Sequence, residues 1–166
     1  EYTDLTWLTI TNPEILPGGN GKSIWSLVFD LMGFLWVLSE NGVQGYQING
    51  NNDITLDPLR ITENEEGEYE AYDFLTNISY EKGNRIKVDS QNNKWVITHQ
   101  GVWVIQENLA YWPSEYGLHP ENSGLLSDIV YDVAFDNEKD LAYLSTYKGI
   151  SILAVPPANN STWFEC

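Results

Sequence analysis

Three stretches of the chain carry the same anchors in the same order, and an internal repeat of this size constrains the fold more than any other feature. Residues 23 to 48 are SIWSLVFDLMGFLWVLSENGVQGYQI. Residues 84 to 106 are NRIKVDSQNNKWVITHQGVWVIQ, and 129 to 155 are IVYDVAFDNEKDLAYLSTYKGISILAV. The anchors are Asp30, Trp36 and Gly42, then Asp89, Trp95 and Gly101, then Asp136, Tyr143 and Gly149. In the first two copies the aromatic and the glycine follow the aspartate by six and twelve residues; the third copy has one extra residue before Tyr143.

Each copy predicts three short strands. An alternating run reaches the aspartate, with Ile24, Ser26 and Val28 on one side and Trp25, Leu27 and Phe29 on the other. A tight polar turn follows, with Gly33 or an Asn pair at its tip. A second strand holds the aromatic (LWVLS, KWVIT, AYLST) and a second turn closes on glycine, which tolerates positive φ. A third strand comes next, and DPLRI (57–61) and NLAYWP (108–113) are candidates for a fourth. Four antiparallel strands in about 45 residues is the size of one propeller blade. The expected fold is therefore an all-β propeller segment of about three four-stranded blades, over repeats 23–62, 84–113 and 129–166. The strand TWLTIT (6–11) within residues 1–22 reads as the outer strand of a preceding blade, and STWFE (161–165) as a closing one. In this scheme the aspartate accepts backbone hydrogen bonds across the first turn and the aromatic fills the space between blades.

Composition agrees. The chain has 166 residues, enough for one domain with a real core, and its 7 Trp and 10 Tyr favour strands. Asp and Glu outnumber Lys and Arg by 24 to 8, a net charge of −16, so a phosphate backbone is repelled and nucleic acid is not an expected partner. The charge serves solubility or, alternatively, calcium or a basic partner. No apolar run is long enough to span a membrane. The lone cysteine, Cys166, has no partner within the chain, so no disulfide framework forms. The chain begins at Glu1, which implies a removed leader or a segment of something longer. Asn77, Asn159 and Asn160 open glycosylation triplets, which carry no meaning in a bacterial protein.

The spacing FDLMGFLWVLSENGVQGY resembles the two-component regulator propeller repeat. That family's pattern is an apolar strand, Asp, two residues, Gly, one residue, Leu-Trp-Val, then Thr and a Gly-led strand. VDSQNNKWVITHQGVWVI resembles it with Asn93 for the glycine and Lys94 for the leucine, and FDNEKDLAYLSTYKGISIL with Tyr143 for the tryptophan. The resemblance implies a periplasmic or extracellular bacterial protein, a sensory or interaction module that takes a glycan or a protein ligand. Closed propellers have about four to eight blades. Three copies therefore imply a piece of a larger ring, or self-association as a dimer or higher oligomer, for example two halves closing a six-bladed ring.

Candidate binding residues precede the motif glycines: Glu40 and Asn41, His99 and Gln100, Tyr147 and Lys148. They differ between copies while the scaffold positions stay alike, as a binding face grafted on a scaffold does. The acidic insertion TENEEGEYEAYDF (62–74) reads as a solvated loop, with calcium as the alternative because clustered oxygens suit it. No other metal or cofactor is expected. His99 and His119 lack metal-ligand spacing, and Cys166 is a poor nucleophile candidate. Nucleophile-elbow, P-loop and dinucleotide motifs are absent. The sialidase-type Asp box has an Asp-to-Trp step one residue shorter. A non-enzymatic module is expected, with a glycan-cleaving propeller and a structural part of a large secreted protein as alternatives.

Overall fold

The computed structural model describes residues 23–50, 55–63, 69–71 and 74–155. The strands expected at 6–11 and 161–165, Asn159, Asn160 and Cys166 lie outside them. Among the described residues there are thirteen strands and no helix.

Three antiparallel meanders make up the architecture. Sheet one runs β1 (Ile24–Phe29), β2 (Leu35–Ser39), β3 (Gly42–Asn49) and β4 (Thr55–Pro58) in spatial order. The chain then forms a hairpin of β5 (Arg60–Glu63) and β6 (Tyr69–Ala71). Sheet two holds β7 (Arg85–Val88), β8 (Lys94–Thr98), β9 (Gly101–Ile105) and β10 (Tyr111–Trp112), again in sequence order. Sheet three holds β11 (Val130–Asp136), β12 (Leu141–Thr146) and β13 (Gly149–Ala154). An all-β chain of such meanders is consistent with a partial propeller.

Three local expectations need correcting. The fourth strand of sheet one is residues 55–58, not 57–61, because pairing with β3 ends at the Leu59 N–H, which donates to Gly45 O, and from Arg60 the chain pairs with the strand at 69–71 instead. The acidic insertion is not a plain loop, since its flanks pair as β5 and β6. The alternation in β1 slips at a bulge between Ile24 and Ser26, so Trp25 joins Val28 in the core and Ile24 is exposed. β11 slips likewise between Val130 and Asp132.

Period-two alternation places two cores between the sheets. In β8, Lys94, Val96 and Thr98 share one face while Trp95 and Ile97 share the other. The seam between sheets one and two contains Trp36, Leu38, Val43, Ile86, Val96, Trp103 and Ile105. The seam between sheets two and three contains Trp95, Ile97, Val102, Val104, Val133, Ala142 and Leu144. Trp95 meets Phe135 there, with ring centroids 5.6 Å apart. Each motif tryptophan thus points from its own sheet into the next one.

Polar contacts reinforce both seams. Ile86 N donates to Ser26 Oγ at 3.2 Å, and Leu31 N donates to Asn92 Oδ1 at 2.8 Å. At the second seam, Lys87 Nζ donates to Val133 O at 2.8 Å and pairs with Asp132 at 2.6 Å. Burial pushes the Asp132 carboxyl up, but the Lys87 hydrogen bond, the Val133 N–H and the Lys87 and Arg85 charges together bring it below the usual range.

Candidate functional site

The aspartate carries two jobs in the first two copies. Asp30 Oδ1 accepts from Met32 N and Phe34 N, both at 2.9 Å, and Oδ2 accepts the Trp36 indole N–H at 2.9 Å. Asp89 Oδ1 accepts from Gln91 N and Asn93 N at 2.9 Å, and Oδ2 accepts from Asn93 Nδ2 and, at 2.7 Å, from Trp95 Nε1. The six-residue spacing follows from this pair. One carboxylate closes the turn and holds the indole of the next strand. The indole bond was not anticipated from sequence, although the constant offset was its signal.

The third copy differs as its extra residue requires. Its turn spans 137–140, with Asp140 at a φ of 52°. Asp136 accepts from Glu138 N and Lys139 N and is paired with the Lys139 amino group at 2.6 Å. The Lys139 hydrogen bond holds the Asp136 carboxyl below its usual range. A further correction concerns the turn tip. Asn92, not Asn93, stands where copy one has Gly33, three residues after its aspartate, with φ of 62° against 88°. Asparagine is among the few side chains that accept that backbone region.

A further anchor stands where the repeat pattern has its Thr, a position that was given no role from sequence. Ser39, Thr98 and Thr146 each precede the motif glycine by three residues. Each hydroxyl accepts the backbone N–H two residues on, at Asn41, Gln100 and Lys148. Thr98 and Thr146 also donate to the glycine carbonyl at 2.9 Å. The hydroxyl recurs in all three copies, so the signal was present.

The motif glycine makes room as well as turning. Gly42 has a φ of 138°, and a Cβ there would stand 2.6 Å from Phe74 O. That close approach lets Val43 and Phe74 exchange backbone hydrogen bonds, at 2.9 and 2.8 Å. Gly101 plays the same part against Leu118. Gly42→Ala is expected to cost about 1–3 kcal/mol, the scale of one strained backbone site. A urea midpoint equal to that of the parent chain would refute this role for the glycine.

The six candidate binding residues occupy equivalent hairpin tips, between β2 and β3, β8 and β9, and β12 and β13. Glu40 and Asn41 are half-buried, and Glu40 N donates to Ser23 O. His99 Nδ1 lies 2.6 Å from Glu81 Oε1, and its ring stands edge-on to Tyr131 at 5.6 Å. Gln100 donates to Ser79 O. Tyr147 and Lys148 are exposed. The side-chain bonds of His99 and Gln100 thus run to their neighbouring loops rather than to the other tips. No group of three or more metal-ligating side chains occurs among the described residues, and the side chains of 62–73 lie outside them. No helix among the described residues is long and apolar enough to cross a membrane.

One functional-looking residue was read only as a replacement. Lys94 is 1% exposed. Its amino group lies 3.4 Å from Asp30 and 5.0 Å from the centre of the Trp36 ring. It therefore ties sheet two to the aspartate–tryptophan pair of sheet one.

No family model and no curated protein matches the chain. Among solved structures it is similar to PorZ, an essential bacterial surface component of the type-IX secretion system of Porphyromonas gingivalis, at 24% identity and a TM-score of 0.60. That likeness covers 84% of this chain and 18% of PorZ, so the chain spans under a fifth of its neighbour. The extracellular domain of the one-component system BT4673 from B. thetaiotaomicron is similar at 14% identity and a TM-score of 0.40, over 89% of this chain and 23% of that one. The PorZ likeness shows the fold, and it shows this chain matching one part of a much longer one.

Proposed function

We propose that the chain is a non-enzymatic segment of a larger β-propeller of the two-component regulator repeat kind, working outside the cytoplasm as a sensory or protein-binding module. The observation that carries this is the direction of the motif aromatics. Trp36 points into sheet two and Trp95 into sheet three. Tyr143 lies on the far side of sheet three, where the register aligns it with Ala134 and Ile152, beside Ser145 and Ile150. Ile150 is 67% and Ile152 60% exposed. This face repeats the composition that is buried at the two seams, so a following blade is its natural cover.

The far face of sheet one is different, because Val37, Tyr46 and Leu56 are already buried there. In the isolated chain the open face of sheet three pairs with its copy about a twofold axis, the commonest closed symmetry. Light scattering is expected to give twice the chain mass, and Ile152→Lys to return it to one. A parent chain that is monomeric at all concentrations would sink this. The hairpin tips and the PorZ likeness support a surface role, since PorZ is a bacterial surface component. The small share of PorZ that is matched favours, as a second reading, a structural part of a large secreted protein.

A further inference from the structure

Beside the outer edge of sheet two lies a cavity of about 460 Å³, backed by Trp103 and Leu75 of the seam with sheet one and away from the hairpin tips. Three aromatic side chains line it: Trp103, Tyr111 and Tyr116. Ile78 adds an aliphatic surface, and Asn77 and Glu115 are the polar side chains. Its walls are fixed. Trp103 Nε1 donates to Glu115 O at 3.2 Å, and His119 stands edge-on to the same indole at 5.4 Å. Phe74 stands edge-on to Tyr111 at 6.1 Å, and the Tyr111 hydroxyl accepts from Leu75 N. Tyr116, by contrast, is 72% exposed. The cavity therefore has a rigid back and one free aromatic lip.

We propose that this cavity binds a short basic peptide segment, an arginine or lysine side chain lying among the aromatics with its charge on Glu115. It deepens the binding-module reading and rests on it. Size fits, since the volume lies in the range of ligand pockets and exceeds what one side chain fills. Chemistry fits, because aromatic faces attract guanidinium and ammonium groups while their stems cover aliphatic surface. Charge fits too. The chain carries a net charge of −16. Lys87, Lys94 and Lys139 are each tied to a carboxylate, whereas Glu115 forms no ion pair among the described residues. A cationic segment is thus drawn in by the whole field and held by Glu115, the carboxylate among the described residues that line the cavity.

The test is a titration of isotope-labelled chain with an acetylated, amidated Gly-Arg-Gly-Arg-Gly peptide, followed by amide NMR. The control peptide carries glutamine for arginine, and maltotriose serves as a neutral sugar. Saturable shifts confined to residues 75–78, 103 and 111–116 are expected with the arginine peptide alone. Glu115→Gln and Tyr116→Ala, both exposed and safe for folding, should each weaken it about tenfold, the scale of one charge-assisted contact. Equal binding of the glutamine peptide would overturn the proposal. So would saturation by maltotriose in its place, or unsaturable shifts spread along the acidic surface and indifferent to both variants. None of these outcomes bears on the mass of the chain or its Ile152→Lys variant, so the two readings fail separately.

Discussion

Lys94→Met is expected to lower the unfolding free energy by about 3–5 kcal/mol, the usual cost of stranding one member of a buried ion pair. Methionine keeps the volume of the side chain, so the loss reports charge rather than a cavity. The side chains of Lys94 and Asp30 are 2% and 3% exposed, so the carboxylate left behind has little recourse to water. It keeps the N–H donors of Met32, Phe34 and Trp36, which set the loss toward the lower end. Asp30→Asn in the Lys94→Met background removes the stranded charge and is expected to recover most of the loss. A single variant within 1 kcal/mol of the parent would refute a structural role for the pair.

The same residue has a pH signature. Burial pushes the Lys94 ammonium below its usual 10.5, against the opposing pull of Asp30, Glu107 and Asp89. The folded chain therefore releases this proton at lower pH than the unfolded chain does. Between the two values the unfolded state holds more protons, and stability from this group rises with pH toward 10.5, because the neutral amine sheds the cost of burying a charge yet keeps an N–H donor for Asp30, which methionine lacks. Lys94→Met removes that rise. Burial also raises the Tyr80 phenol well above its usual 10, and its contribution falls above pH 10. Alkaline titration below pH 10 isolates the lysine.

Lys94 also shows where sequence stops being legible. The repeat and its strands follow from alternation and turn chemistry, which are local, and the three hairpins stand where those rules put them. KWVIT even placed Lys94 on the same face as Val96 and Thr98. Its acceptor is 64 residues away in another sheet, and no local pattern names it. The Asn92 bond to Leu31 N, across 61 residues, was hidden for the same reason. Local chemistry did hold the Asp–Trp bond and the recurrent hydroxyl, since both lie at fixed short offsets. The cavity beside Trp103 was not legible, because it is assembled from the linker at 75–78, Tyr111 of β10 and the loop at 115–116. The linker and that loop lie outside the repeat.

Trp95→Ala is expected to cost about 3–5 kcal/mol, and Tyr143→Ala less than about 1 kcal/mol, although both sit at the same position of the repeat. Trp95 is 0% exposed. It packs among Ile97, Val102, Val104 and Leu144 and gives its indole N–H to Asp89. Its removal leaves a cavity in the second seam and takes one donor from a buried carboxylate. Tyr143 is half-buried on an open face, and its aspartate is already paired with Lys139. The difference thus measures whether a neighbouring sheet covers the aromatic, not the repeat itself. Urea denaturation of the two variants, followed by tryptophan fluorescence at a concentration where light scattering gives the mass of one chain, gives both numbers. Should Tyr143→Ala cost as much as Trp95→Ala there, the face of sheet three is covered even in the lone chain. The assignment of that face to a following blade then fails.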